Sequence, residues 1–121
     1  GEYLKSQNKN IEVVAVEPAS SPVLSQGKSG AHAIQGIGAN FVPKVLNTSI
    51  YDSVFAVENE CAFTAAKKLA KTEGILVGIS SGAALHAGIE LAKKEENENK
   101  TIVVLLPDSA DRYYSTALFQ D

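Results

Sequence analysis

Four short apolar runs set the rhythm of the chain: Ile11 to Val16, Val54 to Val57, Ile75 to Ile79 and Thr101 to Leu106. The last, Thr-Ile-Val-Val-Leu-Leu, is apolar on both faces and β-branched at its start. That is the pattern of a strand covered on both sides of a sheet. Helical periodicity follows the second and third runs. After Asn59, a residue suited to an N-cap, apolar side chains fall at Ala62, Ala65, Ala66, Leu69 and Ala70. Gly74 then stands where a C′ glycine ends a helix. Beyond Ser80 and Ser81, the residues Ala84, Leu85, Gly88, Leu91 and Ala92 form a second helical stripe. A weaker helix is expected from about Asp111 to Phe119. Strands alternating with helices of this length predict crossover units, with the four runs as parallel neighbours of one sheet and helices on its faces.

Two stretches break this rhythm. Lys93 to Lys100 is charged and Asn-rich, the signature of a solvated helix end and loop. Ala19 to Asp52 is rich in Gly, Ser, Pro and Asn, with only Pro22 to Ser25 helix-like. A connection of that length in a compact domain is usually functional or disordered. The opening Gly1-Glu2-Tyr3-Leu4-Lys5 reads as the tail of a helix without its N-cap, and no methionine occurs anywhere. Together these predict a piece of a longer protein.

Composition narrows the classes. At 121 residues and 45% hydrophobic, the chain can bury one core without disulfides or metals. Its single cysteine, Cys61, excludes an intramolecular disulfide framework and a cysteine-based zinc site, and fits a reducing cytosol. A net charge of -3, from 11 Lys+Arg against 14 Asp+Glu, argues against a nucleic-acid partner. No apolar run approaches the ~20 residues of a membrane helix, and the first residues carry no signal-peptide pattern. His32 and His86 have no carboxylate at ligand spacing, so no metal site is expected.

Three motifs carry candidate chemistry. Gly78-Ile79-Ser80-Ser81-Gly82, between a strand and a helix, matches the nucleophile elbow of serine hydrolases as a string. The triad order fails, because the only later histidine, His86, lies on the same helix as the serines and precedes every candidate Asp. Helix capping by Ser80 and Ser81 is the simpler reading, and a hydrogen bond from Ser80 to a ligand at the carboxyl ends of the strands is the sharper one. Gln35-Gly36-Ile37-Gly38-Ala39-Asn40-Phe41 is not a dinucleotide fingerprint, since Phe41 replaces the third glycine. It is either a turn needing positive φ or a loop whose bare backbone lets a ligand approach. Pro107-Asp108-Ser109-Ala110-Asp111-Arg112 could line the same site, although Asp108 or Ser109 as a helix cap is simpler.

Taken in order, several stretches closely resemble the C-terminal half of the cysteine synthase (O-acetylserine sulfhydrylase) family. They are Ala15-Val16-Glu17-Pro18, Ser21 to Ser25, Ile34 to Ala39, Glu73 to Ala84, Arg112-Tyr113 and Ser115 to Phe119. The family belongs to the cysteine synthase and cystathionine β-synthase group of pyridoxal-phosphate enzymes, of the tryptophan-synthase-β fold type. The resemblance implies an α/β chain over residues 1–121, part of a three-layer domain with a mainly parallel sheet flanked by helices. It implies that the Schiff-base lysine, the Thr-Ser-Gly-Asn-Thr-Gly substrate loop and the Gly-Thr-Gly-Gly-Thr phosphate loop lie elsewhere, since none of these strings occurs here. No catalytic residue is then expected in this chain.

By the same resemblance, Ser80 hydrogen-bonds the pyridine nitrogen of pyridoxal 5'-phosphate, while Gly36, Ile37 and Gly38 line the substrate side of the pocket. A neutral hydroxyl there does not enforce a protonated ring, which suits β-elimination and replacement by sulfide, turning O-acetyl-L-serine into L-cysteine. The chemistry would be the cofactor's, with the protein supplying position and electrostatics. A cytoplasmic homodimer, with serine acetyltransferase as a possible partner, is also implied. Two departures stand out: Asn40 where the family usually has Gly, and Ala110-Asp111 where Gly-Glu is usual. Asn is the mildest non-Gly choice for positive φ, and Asp keeps the charge. The alternatives are a cystathionine β-synthase-like or O-phosphoserine-using relative and, from another class, a non-catalytic binding or scaffold module.

Overall fold

The long connection after the first apolar run brings it back alongside the second. In the computed structural model, which describes residues 1–120, strands β1 (Val14–Pro18) and β2 (Ser53–Val57) pair in parallel, with Val14 opposite Ser53 and Pro18 opposite Val57. Helix α1 (Glu2–Gln7) precedes them and the short α2 (Val23–Gln26) lies in the connection. Helices α3 (Asn59–Glu73) and α4 (Ile79–Ala92) follow, and α4 packs against α3 and both strands. A clasp joins the entry to both strands: the Asp52 carboxylate accepts the Val13 N–H at 2.7 Å and pairs with Lys5 Nζ at 2.6 Å. Those two contacts hold the Asp52 carboxyl below its ordinary range, the Lys5 hydrogen bond first.

The sheet is smaller than the apolar runs predict. Among the described residues, Ile75 to Ile79 contributes only an isolated antiparallel bridge, Val77 with Ser109, and Thr101 to Leu106 forms no ladder. An apolar pattern records what a strand should bury, not which neighbour will accept its backbone hydrogen bonds. Here no described strand offers those bonds, and Val103 and Leu105 stay 89% and 79% exposed. The α/β class holds, but the four-stranded parallel arrangement does not.

Both long helices form, with differences at their ends and faces. Helix α3 starts one residue early, with Glu58 as N-cap, and the Asn59 side chain accepts the Ala33 N–H at 3.0 Å instead. Gly74 closes it in the left-handed region at φ +70, as predicted. The buried face of α4 runs through Ala83, Ala87 and Gly88 rather than Leu85 and Leu91. The reason is the contact with α3, which is built from the smallest side chains. A Cβ on Gly82 would run into the Ala62 carbonyl oxygen and lie 2.9 Å from the Ala66 methyl. Such residues let helices approach closely yet leave little hydropathy signal.

The helix expected from Asp111 to Phe119 is a single 3-10 turn, Ala110–Arg112, followed by further turns. Thr116 Oγ1 donates to the Tyr113 carbonyl at 2.6 Å, and bonds of this kind compete with helix. The segment still docks, because Tyr113 and Leu118 are buried in one cluster with Ile34, Val57, Ala62, Val77 and Ile79. Asp108 ties it down. Its carboxylate accepts the Tyr113 hydroxyl at 2.5 Å and the Ser81 hydroxyl at 3.0 Å, joining the C-terminal strap to the start of α4. That hydrogen bond, with burial and the Asp108 charge behind it, raises the Tyr113 phenol above its ordinary range.

Two outcomes follow. Gly82→Ala gains about 1 kcal/mol of helix propensity, but overpacking against a backbone carbonyl costs about 1–3 kcal/mol. The variant should therefore unfold at lower urea, and an unchanged or higher midpoint would contradict the close approach. The second concerns the Asp108–Tyr113 bond. Its stabilisation is complete below the unfolded tyrosine pKa of about 10 and is lost as pH rises through the higher folded value. In Asp108→Asn the Tyr113 ionisation should return toward the ordinary range. Tyrosinate absorbance, with Tyr113→Phe as the subtraction reference, measures this.

Candidate active site

The candidate site is built where α4 begins, and neither serine there caps the helix. Gly78 occupies the N-cap position in extended backbone, without a side-chain cap bond. Ser81 turns to Asp108, donating to its carboxylate at 3.0 Å and approaching its carbonyl at 3.3 Å. The reading of Ser81 as a cap therefore gives way: an ionised acceptor within reach outcompetes the helix amides. Asp108 and Ser109 are not side-chain caps of the following turn either. Ser109 instead hydrogen-bonds Asp111, lowering that carboxyl's pKa.

Ser80 sits in the first turn of α4 and is 6% exposed. Its hydroxyl makes no side-chain hydrogen bond among the described residues, yet it is not sealed away as a fully buried, unsatisfied group. It faces the glycine loop. Gly36 adopts φ +102, and a Cβ built on it would lie 2.9 Å from Ser80 Oγ. Only bare backbone fits so close at that conformation.

The rest of the loop follows from local chemistry. Ile34 is fully buried and roots it in the core. Gly38 and Asn40 continue the positive φ values at +65 and +64, so Asn40 takes the conformation that its usual Gly counterpart would provide. Asn40 Oδ1 also accepts the Ser21 hydroxyl at 2.7 Å. Gly36, Ile37 and Gly38 line a cavity of about 410 Å³ together with Val16 and Glu17 of β1. Ser80 stands beside that cavity rather than in its wall. The loop lies at the carboxyl ends of the strands: Pro18 ends β1 against Gly38, and Asn59 holds Ala33 just beyond β2.

One buried charge frames the cavity. Glu17 is 3% exposed, and its carboxylate accepts the Leu24 N–H at 2.7 Å, the Ser25 N–H at 3.1 Å and the Ser25 hydroxyl at 2.5 Å. Three donors, two of them at the start of α2, compensate the desolvation. Glu17 thus fixes α2 and needs no ligand. His86 packs edge-on against Phe55 at 6.2 Å and takes no part in the Ser80 environment. Among the described residues, no group of His, Cys, Asp and Glu is placed to hold a metal, and no helix is long and apolar enough to cross a membrane.

Sequence reasoning missed Asp108 as a hub and His32 as a neighbour of the loop. A carboxylate after Pro107 signals only a turn, and nothing local says that its partners lie at Ser81 and Tyr113. His32 reaches Gly38 over six residues of irregular chain, where no periodicity operates.

Comparison with known proteins identifies the family. The family model described as pyridoxal-phosphate dependent enzyme matches residues 1–108. A cysteine synthase of Staphylococcus aureus is 52% identical over 119 residues, covering 98% of this chain and 38% of its own length. The crystal structure of cysteine synthase from Entamoeba histolytica superposes with a TM-score of 0.96 at 42% identity, over 99% of this chain and 36% of that one. The O-acetylserine dependent cystathionine β-synthase of Helicobacter pylori superposes with a TM-score of 0.88 at 37% identity, over 98% of this chain and 38% of that one. The chain thus spans little more than a third of the length of these relatives. With its family model matched over most of its length, the chain belongs to the pyridoxal-phosphate dependent enzymes.

Proposed function

We propose that this chain is the part of a cysteine synthase that holds the pyridine end of pyridoxal 5'-phosphate and one wall of the amino-acid pocket. The intact protein would convert O-acetyl-L-serine and sulfide to L-cysteine by β-replacement. The observation that carries the reading is the unpartnered, nearly buried Ser80 hydroxyl facing the bare backbone of Gly36. A pyridine nitrogen needs one hydrogen-bond partner, and the Ser80 hydroxyl has a bond to give, with no side chain on Gly36 to cover it. When bound, the cofactor supplies the electron sink for β-elimination and replacement.

The chain's own residues have narrower tasks. Ser80 would orient the ring through one hydrogen bond, and its neutrality leaves the ring nitrogen free of an enforced proton. Gly36, Ile37 and Gly38 would shape the substrate side, with the cavity beside them admitting a small amino acid. Asp108 and Ser81 hold the helix start from which Ser80 projects. The resemblance also supports a cytoplasmic homodimer and serine acetyltransferase as a partner. A second reading, favoured by the likeness to the Helicobacter pylori enzyme, keeps O-acetylserine but uses homocysteine as nucleophile. Assaying the intact protein with sulfide and with homocysteine separates the two.

The 121-residue chain alone is expected to form no cysteine, since the family's lysine and phosphate-loop strings do not occur in it. Sulfide-dependent turnover by the purified chain would contradict this. Substitutions in the intact protein test the site itself. Ser80→Ala, which breaks no hydrogen bond within the described residues, should cost the cofactor-free intact protein less stability than Ser81→Ala does. Ser81→Ala should cost about 1–3 kcal/mol by leaving Asp108 short of a donor, with a smaller effect on the cofactor spectrum than Ser80→Asp. Ser80→Asp should shift cofactor absorbance and rate, because a carboxylate raises the proton affinity of a nearby ring nitrogen. Purely stability-level effects at both positions would overturn the assignment of Ser80.

A further inference from the structure

We propose that His32 is the positioning residue of the glycine loop, acting through a neutral ring that carries its proton on Nε2. The functional part of this proposal rests on the reading of Gly36 to Gly38 as the substrate wall. The loop needs an external support, because its own backbone supplies almost none. Among the described residues, the one backbone amide from Gln35 to Val45 bonded to another backbone group outside helices and strands is that of Ile37, which reaches the Ile34 carbonyl at 3.5 Å. The positive φ values at Gly36, Gly38 and Asn40 rule out a regular element over this stretch.

The His32 ring spans the gap. Its Nδ1 accepts the Ile34 N–H at 3.1 Å, and its Nε2 lies 2.7 Å from the Gly38 carbonyl oxygen. These contacts fix the tautomer. An amide N–H can only donate, so Nδ1 is unprotonated, and a carbonyl can only accept, so Nε2 carries the proton. One planar group therefore joins the buried root of the loop at Ile34 to its far side at Gly38, with Gly36 between them against Ser80. A side chain on Gly38 would collide with the same ring. The length of the imidazole sets the span, which neither a backbone bond nor a shorter polar side chain provides.

Two substitutions divide the ring's contacts. Asn presents an acceptor where Nδ1 lies, while Gln presents a donor where Nε2 lies. In the intact, cofactor-loaded protein, His32→Asn should keep the Ile34 amide protected from hydrogen exchange but raise KM for the amino-acid substrate by about tenfold with kcat little changed. His32→Gln should speed Ile34 exchange and restore a KM near that of the parent. Nitrogen NMR of the imidazole should show the Nε2–H form, assigned as the ring signals that His32→Gln removes. An Nδ1-protonated ring, or equal KM for the two variants, overturns the proposal. Should the intact protein make no cysteine, the tautomer and the Ile34 exchange still decide whether His32 holds the loop, independently of the proposed activity.

Discussion

The Asp108 carboxylate is the contact on which the site geometry depends. It is met from two sides, by Ser81 at the start of α4 and by Tyr113 in the C-terminal strap. Ser81 and Ser80 are adjacent, so fixing one sets the rotation of the helix start and with it the direction of the other. A helix N-terminus with several unsatisfied amides would ordinarily be stabilised by a side-chain cap. Here Ser81 is engaged by Asp108, and Ser80 is left free to face Gly36. Local helix stability is thereby exchanged for a polar group held without a partner. Such an arrangement leaves the helix start without a side-chain cap and suits a binding site.

The same trade recurs in the long connection. Its backbone forms few bonds to itself, and side chains take over the work: Glu17 for α2, Asn59 for Ala33, Asn40 for Ser21 and His32 for the glycine loop. Glu17 and Asn59 come from elements settled by the parallel pair and by the α3–α4 contact, while Asn40 and His32 come from the connection itself. The loop is consequently irregular in backbone yet pinned at many points. That combination suits a wall that must keep its shape while presenting bare main chain to a small ligand.

Much of this was legible from residues, and the parts that were not share a cause. Helix α3, its Gly74 terminus and the short α2 follow from periodicity and end signals, which are local. The glycine loop was recognisable because Gly36 and Gly38 announce positive φ, and Asn40 is the one other residue type suited to it. What escaped were decisions made across the chain: Ser81 choosing Asp108 over the helix amides, Asn59 choosing Ala33, and small residues rather than leucines making the face between α3 and α4. Hydropathy weighs a glycine as nothing, yet Gly82 sets how closely the two helices approach.

The misread strands carry a different lesson. Thr101 to Leu106 is apolar on both faces, a pattern that asks for cover on each side. Helix α4 covers part of one: Val104 meets Gly88, and Leu106 packs against the core. Val103 and Leu105, which alternate with them, remain open to solvent. The period of two is therefore visible in the burial of these residues even though no ladder forms, because alternation is set by backbone geometry and pairing by the presence of a neighbour. The burial written into this run exceeds the burial that the described residues supply to one another. A strand-like sequence is thus a statement about surroundings as much as about conformation.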